Sequence, residues 1–187
     1  MQNDIKNAVK VLKSGGVILY PTDTIWGLGC DATNPEAVDR IYKIKKREDS
    51  KSMLVLIENP ALLDRYVNNV PDIAWDLAEI SVTPLTVIYF NAKNLAANLI
   101  AKDGSIGIRF TKEEFSSQLL KNFRRPVVST SANISGQKSP SVFSEITEDI
   151  KNQVDYIVEY RQKDSTPTQP SGIIKLWPDG RIEIIRP

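Results

Sequence analysis

The chain has 187 residues, enough for one domain with a real core and too few for two ordinary domains and a linker. Lys plus Arg number 24 against 23 for Asp plus Glu, so no excess positive field holds a polyanion and any anion site must be local. A single cysteine, Cys30, excludes an intrachain disulfide and a thiolate-built zinc site, while the absence of histidine removes Ser-His-Asp and Cys-His nucleophile systems, His-ligated metals and imidazole shuttles.

Chemistry therefore has to run on Lys, Arg, carboxylates, hydroxyls, amides or a borrowed ion. The N-terminal stretch lacks the charged-then-apolar order of a signal peptide, and no apolar run approaches the roughly 18 residues of a membrane span. A soluble, cytosolic (cytoplasmic) protein is expected.

In chain order, Ile5, Ala8, Val9 and Leu12 recur at helical spacing, and Gly15-Gly16 end that helix before a buried strand, Val17-Ile18-Leu19-Tyr20. Pro21-Thr22-Asp23-Thr24 follows directly, placing two hydroxyls and a carboxylate at a strand's carboxyl end, where open α/β sheets put their ligands. Turn and cap chemistry explains the same residues. Gly27-Leu28-Gly29-Cys30-Asp31-Ala32 formally matches a dinucleotide fingerprint, but it lies well past the strand and no acid closes the unit about 20 residues on. A Rossmann site is discarded; the glycines serve a tight turn or a close approach.

A second helix starts at Asn34-Pro35-Glu36, with Asn34 as cap and Ala37, Val38, Ile41 and Tyr42 as its inward stripe. It ends in Lys43-Ile44-Lys45-Lys46-Arg47, cations that either complement the helix dipole or, with Lys51, gather at a sheet edge and fit a triphosphate. Further strands are expected at 53–57, 86–90, 106–110, 127–129, 157–159, 173–176 and 182–185, with helices around 60–67, 72–80, 112–122 and 141–152. Arg109 is a lone charge in an apolar strand, an edge cation or a carboxylate clamp. The segment from Ser129 to Gly136 packs hydroxyls, an amide and a turn glycine into either a nest for phosphate or ribose oxygens or a capped loop. Gly136-Gln137-Lys138-Ser139 resembles the end of a phosphate loop, but Ser131 stands where its first glycine belongs.

Residues 162–172 read as a long loop, and Pro178-Asp179-Gly180 as the turn of a terminal hairpin. Ser171 and Arg186, on their own merits, are turn or surface residues. The fold class is α/β: a twisted mixed sheet flanked by helices on its faces.

Taken in order, Pro21-Thr22-Asp23-Thr24 with Gly27-Leu28-Gly29, then Lys45-Lys46-Arg47, then Ile106-Gly107-Ile108-Arg109, then Ser131-Ala132-Asn133 with Ser135-Gly136, resemble the YrdC domain family. The similarity runs from about Lys10 to Pro187, so residues 1–187 read as one such domain. The resemblance implies an open fold with a concave, locally basic pocket for ATP and L-threonine. It implies that Lys45 and Arg47 bear on the phosphates as catalytic residues, with Ser131, Asn133, Ser139 and Arg186 as further nucleotide contacts. Thr22, Arg109, Ser129 and Ser171 would line the threonine side. The implied reaction joins L-threonine, bicarbonate or CO2 and ATP, the last with Mg2+, into threonylcarbamoyl-AMP and pyrophosphate. A downstream transferase complex would use this product to modify tRNA. Two alternatives are a non-synthase paralogue with the same pocket and a double-stranded RNA or ribosome-binding module. Net charge near zero and the lack of aromatic-basic interleaving leave the module at most weak RNA binding.

Overall fold

Val17 and Leu19 point to one side of the first strand, Ile18 and Tyr20 to the other, and all four are buried, so helices cover the sheet on both faces here. The computed structural model describes residues 1–46 and 53–187. Among them, β1 (Ile18–Tyr20), β2 (Gly27–Gly29), β3 (Leu54–Ile57), β4 (Leu85–Tyr89), β5 (Ile106–Phe110), β6 (Val127–Ser131), β7 (Tyr156–Ile157), β8 (Gly172–Leu176) and β9 (Ile182–Arg186) form one mixed sheet. Their order across it is β7-β1-β2-β6-β3-β5-β4-β8-β9. The pairs β1/β7, β3/β5 and β4/β8 are parallel, and the rest antiparallel.

The strand that sequence patterning does not anticipate is β2. Its glycines serve close approach: a Cβ on Gly29 would lie 2.6 Å from the Tyr20 ring and 3.0 Å from the Val128 carbonyl oxygen. Only a residue without a side chain lets β1 and β6 flank it there.

Helix α1 (Gln2–Lys13) and helix α4 (Glu114–Phe123) pack together on one face, bringing Ile5, Leu12, Phe115 and Leu119 over Ile18, Tyr20, Leu56 and Val127. Burying a side chain of this size is worth about 1.5–3 kcal/mol. Helix α2 (Pro35–Lys45) belongs to the opposite face, where Ala37, Val38 and Ile41 join Val55, Ile108 and Val128. Asn34 caps it as expected, its Oδ1 accepting from the backbone N–H groups of Glu36 and Ala37 at 3.0 and 3.2 Å.

The expected helix at 60–67 is a 3-10 segment, Pro60–Arg65, and α3 (Ile73–Ile80) matches its prediction. The expected helix at 141–152 is broken into a 3-10 turn at Phe143–Glu145 and α5 (Glu148–Lys151), because Ile146 and Thr147 take extended angles. That break carries Ile146 into the core, where it is 3% exposed. Residues 162–171 form neither helix nor strand. The hairpin β8/β9 turns at Pro178-Asp179-Gly180 with Gly180 at φ +86°. Among the described residues, no helix is long and apolar enough to cross a membrane.

Candidate active site

Along β3 and β6, the face covered by α1 and α4 continues past Leu56 and Val127 to Leu54, Ser129 and Ser131. These last three line a cavity of about 320 Å³. Strand register builds its floor: Leu54 lies between Ser129 and Gly107, Gly107 opposite Ile88, and Arg109 opposite Thr86. At Gly107 a Cβ would come 3.3 Å from Thr86 Cγ2 and 3.4 Å from Leu54 Cβ, so the glycine keeps the floor low. Trp26, tilted against Phe143 with ring centroids 4.8 Å apart, lines the side wall.

The cavity brings together six predicted residues: Arg109, Ser129, Ser131, Ser139, Ser171 and Arg186. Ser171 and Thr86 hydrogen-bond through their hydroxyls at 2.8 Å, and Arg186 Nε donates to the Ser171 carbonyl at 2.8 Å. Two arginines and no carboxylate line the cavity among the described residues.

Thr22 lies beneath the wall. Its hydroxyl donates to the Ile25 carbonyl at 2.8 Å and accepts from the Thr24 N–H at 3.1 Å, so the residue that reaches the cavity is Thr24.

Lys45 is 1% exposed and stands behind Ser131. Its Nζ donates to the backbone oxygens of Ser131 and Asn133, the latter at 2.7 Å. Asn133 closes its own loop, donating from Nδ2 to the Gln137 carbonyl at 2.7 Å, and Ser135 N–H bonds the Lys45 carbonyl at 2.8 Å. Lys45 and Asn133 are thus joined as a unit next to the cavity rather than lining it.

Of the two readings of the cations that end the second helix, solvated complement to the dipole fits Lys43 and Lys46 but not Lys45. Lys43 and Lys46 face solvent, Lys46 in a left-handed cap with its Nζ 4.0 Å from Asp149, while Lys45 turns inward. Helical phase is the signal that separates them, since Lys45 lies four residues after the buried Ile41. Arg47 and Lys51 lie outside the described residues.

Two residues that complete the geometry were not singled out as site residues. Thr86 sits in an apolar-looking strand and becomes visible only through its register with Arg109. Asp23, part of the polar Pro21–Thr24 motif, lies with Oδ1 3.0 Å from Nη2 of the 3% exposed Arg109. The contact is an ion pair without an aligned hydrogen bond, because that oxygen accepts none among the described residues. Burial pushes the Asp23 carboxyl above its ordinary range against the pull of Arg109. Burial likewise pushes the Tyr20 phenol up; its hydroxyl donates to the Val128 carbonyl at 3.5 Å.

This arrangement offers a buried guanidinium for a carboxylate at one end, hydroxyls and Arg186 for further oxygens around it, and a low floor. A family model described as "Telomere recombination", which takes in the Sua5, YciO and YrdC proteins, matches residues 10–187. The chain belongs to this family. A relative named threonylcarbamoyl-AMP synthase, from Pseudoalteromonas translucida, is 34% identical over 175 residues, covering 92% of each chain. The crystal structure of E. coli YciO is 28% identical with a TM-score of 0.85, covering 100% of this chain and 89% of that one. P. abyssi Sua5, solved with L-threonine, is 26% identical with a TM-score of 0.82 over 92% of this chain. This chain spans about half of that longer Sua5, 50%.

Proposed function

We propose that the chain is an L-threonylcarbamoyladenylate synthase, an enzyme that joins L-threonine, bicarbonate or CO2 and ATP into threonylcarbamoyl-AMP with release of pyrophosphate. The observation that carries this reading is the buried Arg109 in a hydroxyl-lined cavity with no carboxylate of its own, in a member of a family whose relatives bear the synthase name. The threonine carboxylate sits on Arg109, with Ser129 and Ser171 beside it and Thr22 holding Thr24 in the wall. Ser131, Ser139 and Arg186 face the nucleotide. Lys45 and Asn133 fix the loop that presents Ser131, and the family resemblance adds Arg47 as a phosphate contact.

The chemistry needs no histidine. The neutral threonine amine takes up CO2 and releases a proton to solvent to give a carbamate, and a carbamate oxygen attacks the α-phosphorus of ATP in line, with pyrophosphate leaving. This nucleophile is already an anion, so the protein works by holding two anions together and offsetting their charge. Among the described residues no group of three or more Asp, Glu or Cys side chains comes together to hold a metal. Magnesium would enter with ATP and would offset charge on its phosphates. The labile product passes to a transferase complex that modifies tRNA.

The test is pyrophosphate release from Mg–ATP with and without L-threonine and bicarbonate, in wild type and Ser131→Ala. Release that needs both small substrates and falls in the variant supports the reading. A wild type that binds ATP yet releases nothing points instead to a paralogue that keeps the pocket without the reaction.

A further inference from the structure

We propose that Asp23, which does not line the substrate cavity, is a positioning residue that sets what Arg109 accepts: an amino-acid carboxylate and not a free phosphate. The inference rests on Arg109 being the clamp for the threonine carboxylate and assigns a role to a residue behind it.

A guanidinium as buried as Arg109 needs a counter-charge, and among the described residues Asp23 is the carboxylate within ion-pair distance. Asp23 itself borders a second cavity of about 380 Å³, shared with Leu77, Leu85, Phe110 and Arg161. The ion pair is therefore the partition between two cavities: Arg109 opens on the substrate side and Asp23 backs it from the other.

The pairing leaves Arg109 with donors to spare. Its contact with Asp23 runs through one terminal nitrogen, and its buried Nε has no hydrogen-bond partner among the described residues. Arg109 also lines the substrate cavity, where its remaining terminal donors can meet a second carboxylate. The guanidinium fork fits either group, but a phosphate dianion costs more to desolvate than a carboxylate and finds too little net charge in a cation already offset by Asp23 to repay that cost. This matters because the proposed reaction brings a triphosphate into the same cavity and produces pyrophosphate there.

The backbone around Asp23 is fixed so that the carboxylate stays in place. Arg161 Nη1 donates to the Thr22 carbonyl at 3.1 Å, Ser116 Oγ to the Pro21 carbonyl at 3.1 Å, and Thr22 Oγ1 to the Ile25 carbonyl at 2.8 Å. The Thr111 hydroxyl acts to favour the charged Asp23 carboxylate.

The experiment compares wild type, Asp23→Asn and Asp23→Glu by steady-state pyrophosphate release over a range of threonine, with and without inorganic phosphate, and by calorimetric titration of L-threonine. Asp23→Asn should raise the threonine KM about tenfold with kcat within about threefold, and make phosphate a competitive inhibitor against threonine. Asp23→Glu should restore both. Thr111→Val, a milder change, should move KM the same way by a smaller factor, and stands in if Asp23→Asn does not fold. An unchanged KM without phosphate inhibition, or an equal loss of kcat in the Asn and Glu variants, overturns the role. A wild type that neither binds threonine nor releases pyrophosphate overturns the synthase reading itself, and the role of Asp23 with it.

Discussion

The ammonium nitrogen of Lys45 lies 2.7 Å from the backbone oxygen of Asn133, across 88 residues of sequence. It ties the end of α2 to the loop after β6, so a residue that reads as one cation in a basic run acts as a buried strut under the site.

Lys45→Ala should therefore cost folding stability as well as activity. It strips donors from two backbone oxygens, those of Ser131 and Asn133, for a loss of about 2–4 kcal/mol. Urea denaturation measures the first effect and an ATP titration the second. Lost nucleotide affinity at unchanged stability would put Lys45 on the phosphates alone.

Gly29→Ala places a methyl 2.6 Å from the Tyr20 ring, with the Val128 carbonyl oxygen at 3.0 Å. Overpacking of this kind costs about 1–3 kcal/mol, read as a lower melting temperature. Adding Tyr20→Leu should recover part of the loss, since the two changes share one contact.

Acid stability has an identifiable contributor in Asp155. Hydrogen bonds from the Arg40 guanidinium, at 2.7 and 3.1 Å, and from the Val17 N–H, at 2.7 Å, hold its carboxyl below the ordinary value of 3.8. The charged form is favoured in the folded state, so the stabilisation is fully present above the unfolded value and is lost as pH falls through the lower folded value. Asp155→Asn should lower the urea midpoint near neutral pH and shrink the difference from wild type on acidification below about pH 4. The pair is partly exposed, and the effect should weaken in high salt.

Much of this was legible locally. The apolar stripes of α1 and α2, the Asn34 cap and the Pro178-Asp179-Gly180 turn follow from neighbours in sequence. β2 did not, because Gly27-Leu28-Gly29 has little strand propensity and its glycines make sense only against Tyr20 and Val128. The break at Ile146 comes from a tertiary demand, burial of one side chain, that outweighs helical spacing. In the site, Arg109, Ser129 and Ser131 stand out as polar residues on or after apolar strands, while Ser171 is picked out only by the family resemblance. Their arrangement around Thr86 and Asp23 depends on register and on a long-range ion pair, which no local pattern encodes.

The most direct measurement is mass spectrometry of the product formed from ATP, magnesium, L-threonine and isotopically labelled bicarbonate. The synthase reading predicts an AMP adduct that carries both the threonine and the labelled carbon, absent when either is withheld and lost in Arg109→Ala. ATP consumption that yields no such adduct, or an adduct that Arg109→Ala still forms at the wild-type rate, would contradict it.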